Sequence, residues 1–291
     1  MSFCNIGGPG NSPPRRAGRL IRRGKQMMTD PIRFDDGDAY ERYMGKWSQI
    51  AGGAFLDWLA PKPSLRWLDV GCGNGAFTEL IVRRCAPVAV HGIDPSEAQL
   101  AFARTRMAAD VVQFRPVEFR RGDAMALPFP DDTFGAAVMP LVIFFVPDPA
   151  RGIAEMARVV CSGGIVAAYA WDMLGGGFPY ESLRDEMRAM GINAPLPPSP
   201  LASRIDIMRD LWTGGGFQGV ETREITVQRT FAHFDDYWTT VLGGPSVSSK
   251  LKAMTPGDLA SLKARIQARL PANDDGSITC IARANAVKGG A

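Results

Sequence analysis

The 291-residue sequence contains no apolar run approaching the ~18 residues a membrane-spanning helix needs, so no span is expected. Its five cysteines (Cys4, Cys72, Cys85, Cys161 and Cys280) are scattered, odd in number and without a Cys-x-x-Cys pair. That excludes a disulfide framework and a zinc site of the usual spacing, and it fits a reducing, cytoplasmic location. There are two histidines, His91 and His233, and no metal-ligating cluster. The N-terminus lacks the continuous apolar segment of a secretory signal. No internal repeat is visible.

Acidic residues are absent from positions 1–26, which hold Arg15, Arg16, Arg19, Arg22, Arg23 and Lys25. This stretch therefore carries six of the chain's 33 basic residues and none of its 30 acids, and the remainder is mildly acidic. A body of that sign gives no support to a nucleic-acid groove. Residues 1–28 read as a disordered basic leader with a possible start at Met27 or Met28; a transit peptide or a polyanion-binding arm are the alternatives. Removing residues 1–26 is expected to leave folding and ligand affinity intact. What remains is ordinarily globular, 46% hydrophobic and 22% charged, and long enough to bury a sizeable core.

Residues 29–63 read as N-terminal helices ended by Pro61 and Pro63. Strands and helices then alternate. Strands are expected at 65–70, 88–93, 117–121, 136–140 and 165–171, with helices at 76–85, 95–109 and 149–160, the last stopped by Ser162-Gly163-Gly164. Such alternation implies a doubly wound α/β fold with a parallel sheet covered on both faces. Beyond Trp171 the pattern changes to helices at 180–190 and 203–213, a strand at 221–229, helical residues at 231–270 and a last strand at 277–286. Two successive strands separated by a helical stretch predict a hairpin interrupted by an inserted cap. The domain division is thus 64–230 with 272–291 as the sheet domain, and 231–271 as the cap.

The organising stretch is Leu68-Asp69-Val70-Gly71-Cys72-Gly73-Asn74-Gly75-Ala76, a strand end, a glycine loop and a helix start. Glycine tolerates positive φ and lets a ligand lie on the backbone, so the loop is a small-molecule cradle. Gly71-x-Gly73-x-x-Ala76 also satisfies the dinucleotide pattern, with Asp94 as a ribose-binding acid. Asp69 decides between the two. An acid there repels a pyrophosphate, at a cost on the order of 4 kcal/mol for like charges about 4 Å apart. It suits an ammonium group, which S-adenosylmethionine carries, along with a carboxylate for the helix N-terminus. Asp94, ending the second strand, offers two oxygens to ribose hydroxyls, and Asp123, ending the third, can accept from an adenine amino group.

Those segments, Leu68–Gly75, Gly92-Ile93-Asp94-Pro95-Ser96 and Gly122-Asp123-Ala124, resemble the first three motifs of class I S-adenosylmethionine-dependent methyltransferases. Leu127–Phe134, Val146-Pro147-Asp148-Pro149 and Glu155–Val159 running into Gly163-Gly164 resemble the type 11 branch, which includes ubiquinone and menaquinone biosynthesis enzymes. The resemblance covers residues 65–171 closely. It implies a Rossmann-like seven-stranded sheet with an antiparallel last strand. It further implies that Gly71 and Gly73 line the methionine moiety, with Cys72 between them. Asp94 would hold the ribose, Asp123 and Ala124 would meet the adenine, and Met139 would lie near the methyl donor, with Pro95, Ser96 and Met125 as further cofactor-binding candidates. One departure matters. Many relatives carry histidine within the segment that is here Ile143-Phe144-Phe145-Val146, so no general base carries over, and Phe144 becomes a candidate for the acceptor side.

Methyl transfer needs chiefly in-line alignment, which can contribute roughly 7–11 kcal/mol. His91 reads as a sheet residue; His233, in the cap, is the one weak candidate for a base. Tyr40, Tyr43 and Trp47 precede the sheet where a lid would lie, either facing the sulfonium or packing the lid down. Trp212, Phe217, Phe231, Phe234, Tyr237 and Trp238 suggest an apolar or aromatic acceptor pocket, or the cap's own core. The expected reaction converts S-adenosyl-L-methionine to S-adenosyl-L-homocysteine with a small-molecule acceptor. An RNA or protein methyltransferase, a non-catalytic S-adenosylmethionine-binding regulator and, last, a dehydrogenase are the alternatives. Exocyclic-amino and cytosine C5 nucleic-acid enzymes are disfavoured, since Met139-Pro140-Leu141-Val142 lacks the first class's motif and no Pro-Cys pair serves the second.

Overall fold

Seven strands form one sheet in the order β3-β2-β1-β4-β5-β7-β6. The computed structural model describes residues 41–108, 116–244 and 247–291; Tyr40 and the basic leader lie outside them. The strands are β1 (Arg66–Val70), β2 (Ala89–Asp94), β3 (Val117–Arg121), β4 (Phe134–Pro140), β5 (Val160–Trp171), β6 (Gln218–Phe231) and β7 (Ile278–Gly290). Strands β1 to β5 pair in parallel, and β7 runs antiparallel to both β5 and β6. Strand β1 is buried on both faces from Trp67 to Val70, as a parallel strand covered by helices requires. The expected fold class holds.

The helices are α1 (Lys46–Leu59), α2 (Ala76–Arg84), α3 (Glu97–Ala108), α4 (Pro149–Val159), α5 (Glu181–Ala189), α6 (Ile205–Gly214), α7 (Phe234–Leu242), α8 (Ser248–Lys252) and α9 (Pro256–Arg269). Helix α1 buries Trp47, Ala51, Phe55 and Leu59, one residue per turn. It ends where Ala60 turns left-handed and its N–H reaches back to the Leu56 carbonyl, one residue before the expected Pro61 stop. Gly52 lets α1 approach α2: a Cβ there would meet Phe77 Cδ2 at 2.7 Å and Leu80 Cδ1 at 2.9 Å. Asp148 caps α4 by accepting from the Arg151 N–H, with Pro149 in the first turn.

Three boundaries differ instructively from the sequence reading. Ser162-Gly163-Gly164 does not end a helix before β5 but lies inside that strand. Val160 already pairs with Phe134 before the register shifts to Ala136 opposite Ile165. The glycines absorb an irregular insertion, with Gly163 at φ 79°, so a helix-stop signature was the conformational signature of a bulge. Strands β6 and β7 are several residues longer than alternation indicated, because they pair with each other from Gln218–Gly290 to Phe231–Ile278. Between them lie α7, α8 and α9, and all described residues fall in one compact unit. Among the described residues no helix is long and apolar enough to cross a membrane.

Candidate active site

The parallel register brings Asp69 opposite Gly92 and Val70 opposite Ile93, so the chain leaves β1 one residue short of where Asp94 ends β2. The Gly71 and Cys72 N–H groups both donate to the Ile93 carbonyl, at 2.8 and 2.9 Å, which folds the glycine loop over the end of β2. Gly71 takes φ 74° and Gly73 φ 52°. At Gly71 a Cβ would meet Val142 Cγ2 at 2.5 Å, whereas at Gly73 its nearest neighbour would be Gln99 Oε1 at 3.9 Å, an ordinary contact. Glycine at 71 is thus demanded by the wall opposite, and glycine at 73 leaves backbone for a ligand to lie on.

A cleft of about 160 Å³ opens above this loop. Asp69, Gly71, Cys72, Gly73 and Asn74 form its floor, Asp94, Pro95, Ser96 and Gln99 one side, and Pro140, Leu141, Val142 and Phe145 the other. Ser48 of α1 and Ala76 and Phe77 of α2 complete the lining, so the positive end of the α2 dipole opens into it.

Asp69 is completely buried. One carboxylate oxygen accepts from Thr78 Oγ1 at 2.6 Å, and the other, Oδ1, has no hydrogen-bond partner. Burial pushes its pKa up to about 7; the Thr78 hydroxyl opposes this and nearby Asp94 adds to it. A buried carboxylate with an orphaned oxygen is costly unless a ligand donor or cation completes it. Asp94 also sits above the usual carboxylate range, chiefly through burial and against hydrogen bonds from the Ser96 and Gly73 N–H groups. Those bonds, 2.8 Å to Oδ1 and 3.0 Å to Oδ2, orient the carboxylate and leave each oxygen a further lone pair. Burial likewise raises the Cys72 thiol well above its ordinary value, so it lines the cleft as a small neutral group.

The donor set fits S-adenosylmethionine: an unpaired acid for the ammonium, a bare glycine backbone beneath the methionine portion, and an oriented acid for ribose hydroxyls. Eight of the sequence-predicted site residues lie outside the cleft lining. Asp123 is exposed at the tip beyond β3, where its carboxylate accepts from the Met125 N–H at 2.8 Å; Ala124 and Met125 share that tip, and none of the three lines the cleft. The stagger explains this, since Asp94 pairs with Arg121 and Asp123 lies two residues further out. Met139 is buried with its Cε toward Gly152 of α4, while Pro140 and Leu141 take the cleft side. Phe144 is buried against Phe145, ring centroids 4.7 Å apart, and the 3₁₀ turn Ile143–Phe145 presents Phe145 instead. Tyr43 stacks on Tyr180 at 4.3 Å, and Trp47 donates from Nε1 to the Tyr180 hydroxyl at 3.1 Å. Both pack the N-terminal segment down, and Ser48 reaches the cleft in their place. Tyr40 lies outside the described residues. His233 is exposed and caps α7, its Nδ1 accepting from the Asp236 N–H at 3.2 Å. His91 packs edge-on against Phe129 and Phe134.

Thr78, Gln99, Ser48 and Phe145 were missed. Thr78 had a readable signal, a hydroxyl two residues into the helix after the glycine loop; the others depend on which way a helix or turn faces. Among the described residues no group of three metal-ligating side chains occurs.

Comparison with known proteins places this geometry. Residues 68–168 match the family model described as "Methyltransferase domain". The chain is 43% identical over 102 residues to a phosphatidylethanolamine N-methyltransferase of Cereibacter sphaeroides, covering 35% of this chain and 48% of that one. It is 34% identical over 111 residues to a ubiquinone/menaquinone biosynthesis C-methyltransferase of Dinoroseobacter shibae, covering 38% and 44%. The chain thus spans about half the length of the curated relatives it matches. The crystal structure of the YcgJ protein from Bacillus subtilis shares the fold at 17% identity, TM-score 0.54, covering 82% of this chain and 97% of that one. Residues 68–168, which carry the acid-plus-glycine cleft within the seven-stranded order, thus match a methyltransferase domain.

Proposed function

We propose that the protein transfers the methyl group of S-adenosylmethionine to a small apolar or aromatic acceptor by in-line displacement, with S-adenosylhomocysteine as product. One observation carries this reading: the fully buried Asp69 holds an unpartnered carboxylate oxygen at the floor of a glycine-lined cleft, which an ammonium would complete and a pyrophosphate would not tolerate. The cofactor's sulfonium makes its methyl group electrophilic, so the protein's task is alignment and exclusion of water. Asp69 holds the amino end, Asp94 the ribose, and Gly71 and Gly73 allow close backbone approach. Pro140, Leu141, Val142 and Phe145 form an apolar wall on the opposite side.

An apolar acceptor is supported by that wall and by the names of two relatives, one a phosphatidylethanolamine N-methyltransferase and one a ubiquinone/menaquinone biosynthesis C-methyltransferase. The type of acceptor differs between them, and apolar bulk is what they share. A second reading, a non-catalytic sensor of the cofactor, draws on a specific feature. The titratable groups of the described lining are Asp69, Cys72 and Asp94, two of them committed to the cofactor and the third held neutral. Transfer of labelled methyl into a metabolite extract favours the enzyme over the sensor.

Calorimetry tests the cofactor. S-adenosylhomocysteine and S-adenosylmethionine are expected to bind and NAD not; binding of NAD alone would overturn the assignment. Asp94→Ala should weaken S-adenosylhomocysteine binding by about 10- to 100-fold, as loss of a charge-assisted hydrogen-bond acceptor worth ~1.5–3 kcal/mol implies. Unchanged affinity in that variant would remove the ribose role.

A further inference from the structure

The π-helical segment Glu41–Gly45, which leads into α1, is tied down from two directions. Toward the sheet its main chain is held. The Tyr180 hydroxyl donates to the Tyr43 carbonyl at 2.6 Å, and Arg229 Nη1 donates to the Arg42 carbonyl at 2.9 Å. Arg229 occupies an inward position of β6, in the buried series Ile225, Val227, Arg229, Phe231, and lies over the Phe231 ring at 4.2 Å. A guanidinium placed in such a row needs strong acceptors, and the carbonyls of this segment supply them.

Toward the cleft the side chain of Glu41 does the holding. Its Oε2 accepts from Asn74 Nδ2 at 2.7 Å and from the Arg106 guanidinium. Asn74 is buried, stands between Gly73 and Gly75, and lines the cleft. Its Oδ1 accepts from the Ala76 N–H at 3.3 Å, and its carbonyl accepts from Arg106 Nε at 3.0 Å. On the opposite side of the same loop the Gly73 N–H donates to Asp94. The loop backbone is therefore pinned from within the cleft by Asp94 and from behind by Glu41 and Arg106. Arg106 also pairs with Glu79 at 3.1 Å, so it keeps a carboxylate if Glu41 is lost.

Gly45 makes room for this arrangement. Its backbone, φ −57° and ψ −46°, is ordinary helix and does not require glycine. A Cβ at that position would instead fall on the Glu41 carboxylate. Open space at Gly45 and the reach of Glu41 to Asn74 are one feature.

We propose that Glu41 is a positioning residue for the cofactor loop, coupling the seating of the N-terminal segment to cofactor binding through Asn74 and Arg106. The inference rests on the cofactor reading above for the identity of the ligand, and on the geometry alone for the coupling. By linkage, a contact that orders the loop before binding tightens the ligand, and the ligand tightens the contact.

Two variants remove the same contact by different means. Glu41→Ala takes away the carboxylate with both of its bonds, and Gly45→Ala excludes the carboxylate while installing a better helix former. Both should weaken S-adenosylhomocysteine binding at least tenfold by calorimetry, with the ligand-free Gly45→Ala protein melting at or above the wild type. In both ligand-free variants the amides of Gly73–Ala76 should exchange at least tenfold faster by hydrogen–deuterium exchange. Wild-type exchange rates at those amides overturn the proposal. So does binding within twofold of a binding-competent wild type, or a loss confined to one of the two variants. A wild-type protein that fails to bind S-adenosylhomocysteine removes the cofactor reading instead, and the exchange rates then decide the coupling by themselves.

Discussion

At the scale of single residues the protein carries a cost at the floor of its cleft. Asp69 has a carboxyl pKa near 7 in the fold against 3.8 as its ordinary value, because burial disfavours the charge. The folded state therefore binds that proton more tightly than the unfolded chain. Stability from this group is greatest at low pH, falls as pH rises from about 4 to about 7, and is fully lost above it. At 1.36 kcal/mol per unit the penalty is on the order of 4 kcal/mol. Asp69→Asn keeps an acceptor for Thr78 and carries no charge. The ligand-free variant should resist urea more than the wild type at pH 8, show little difference near pH 4, and bind S-adenosylhomocysteine at least ~100-fold more weakly. Equal urea midpoints at pH 8 would show that the carboxylate is not destabilising.

The elements act by bringing these residues into register. Parallel pairing of β1 with β2 sets Asp69 opposite Gly92, two residues before Asp94, and α1 lies against α2 through Gly52, which has no space for a side chain. Phe77, whose ring fills that space, also lines the cleft. Gly52→Ala should accordingly cost about 1–3 kcal/mol of stability by overpacking and also reduce cofactor affinity by displacing Phe77. Paired denaturation and calorimetry check both effects, and a loss of stability with unchanged affinity would separate the helix contact from the cleft. At this scale much was legible. The glycine loop, the acids ending β1 and β2, and the alternation of apolar runs with helices were all local patterns. The bulge in β5 was not, because Ser162-Gly163-Gly164 serves equally to end a helix or to bend a strand, and only pairing with β4 distinguishes them.

Across the whole molecule the cleft is assembled from sequence-distant parts: Ser48 before the sheet, the loops after β1 and β2, and the turn after β4. A ligand touching all of them should stabilise the molecule globally. At 100 times its dissociation constant S-adenosylhomocysteine should add about 2.7 kcal/mol to the unfolding free energy, with a single cooperative transition shifted upward. Calorimetric melting with and without it checks this, NAD serving as the control. A transition that splits, with one part unmoved, would show that the N-terminal segment is not coupled to the sheet.

By itself the sequence determined the fold class, the acid and glycines that form the cleft floor, and the acid on the neighbouring strand. These follow from strand periodicity, positive φ and the sign of a charge, which are properties of short segments. The tertiary structure decided which side chains look into the cleft. Phe145 rather than Phe144 faces it because a 3₁₀ turn rotates the pair, and Ser48 rather than Trp47 because Trp47 is drawn to Tyr180. Asp123 stands on an exposed tip because the stagger between β2 and β3 carries it past Asp94. Glu41 reaches Asn74 across 33 positions of sequence because Arg229 and Tyr180 hold the main chain beside it. Facing and long-range contact depend on packing between segments, and no single segment carries that information.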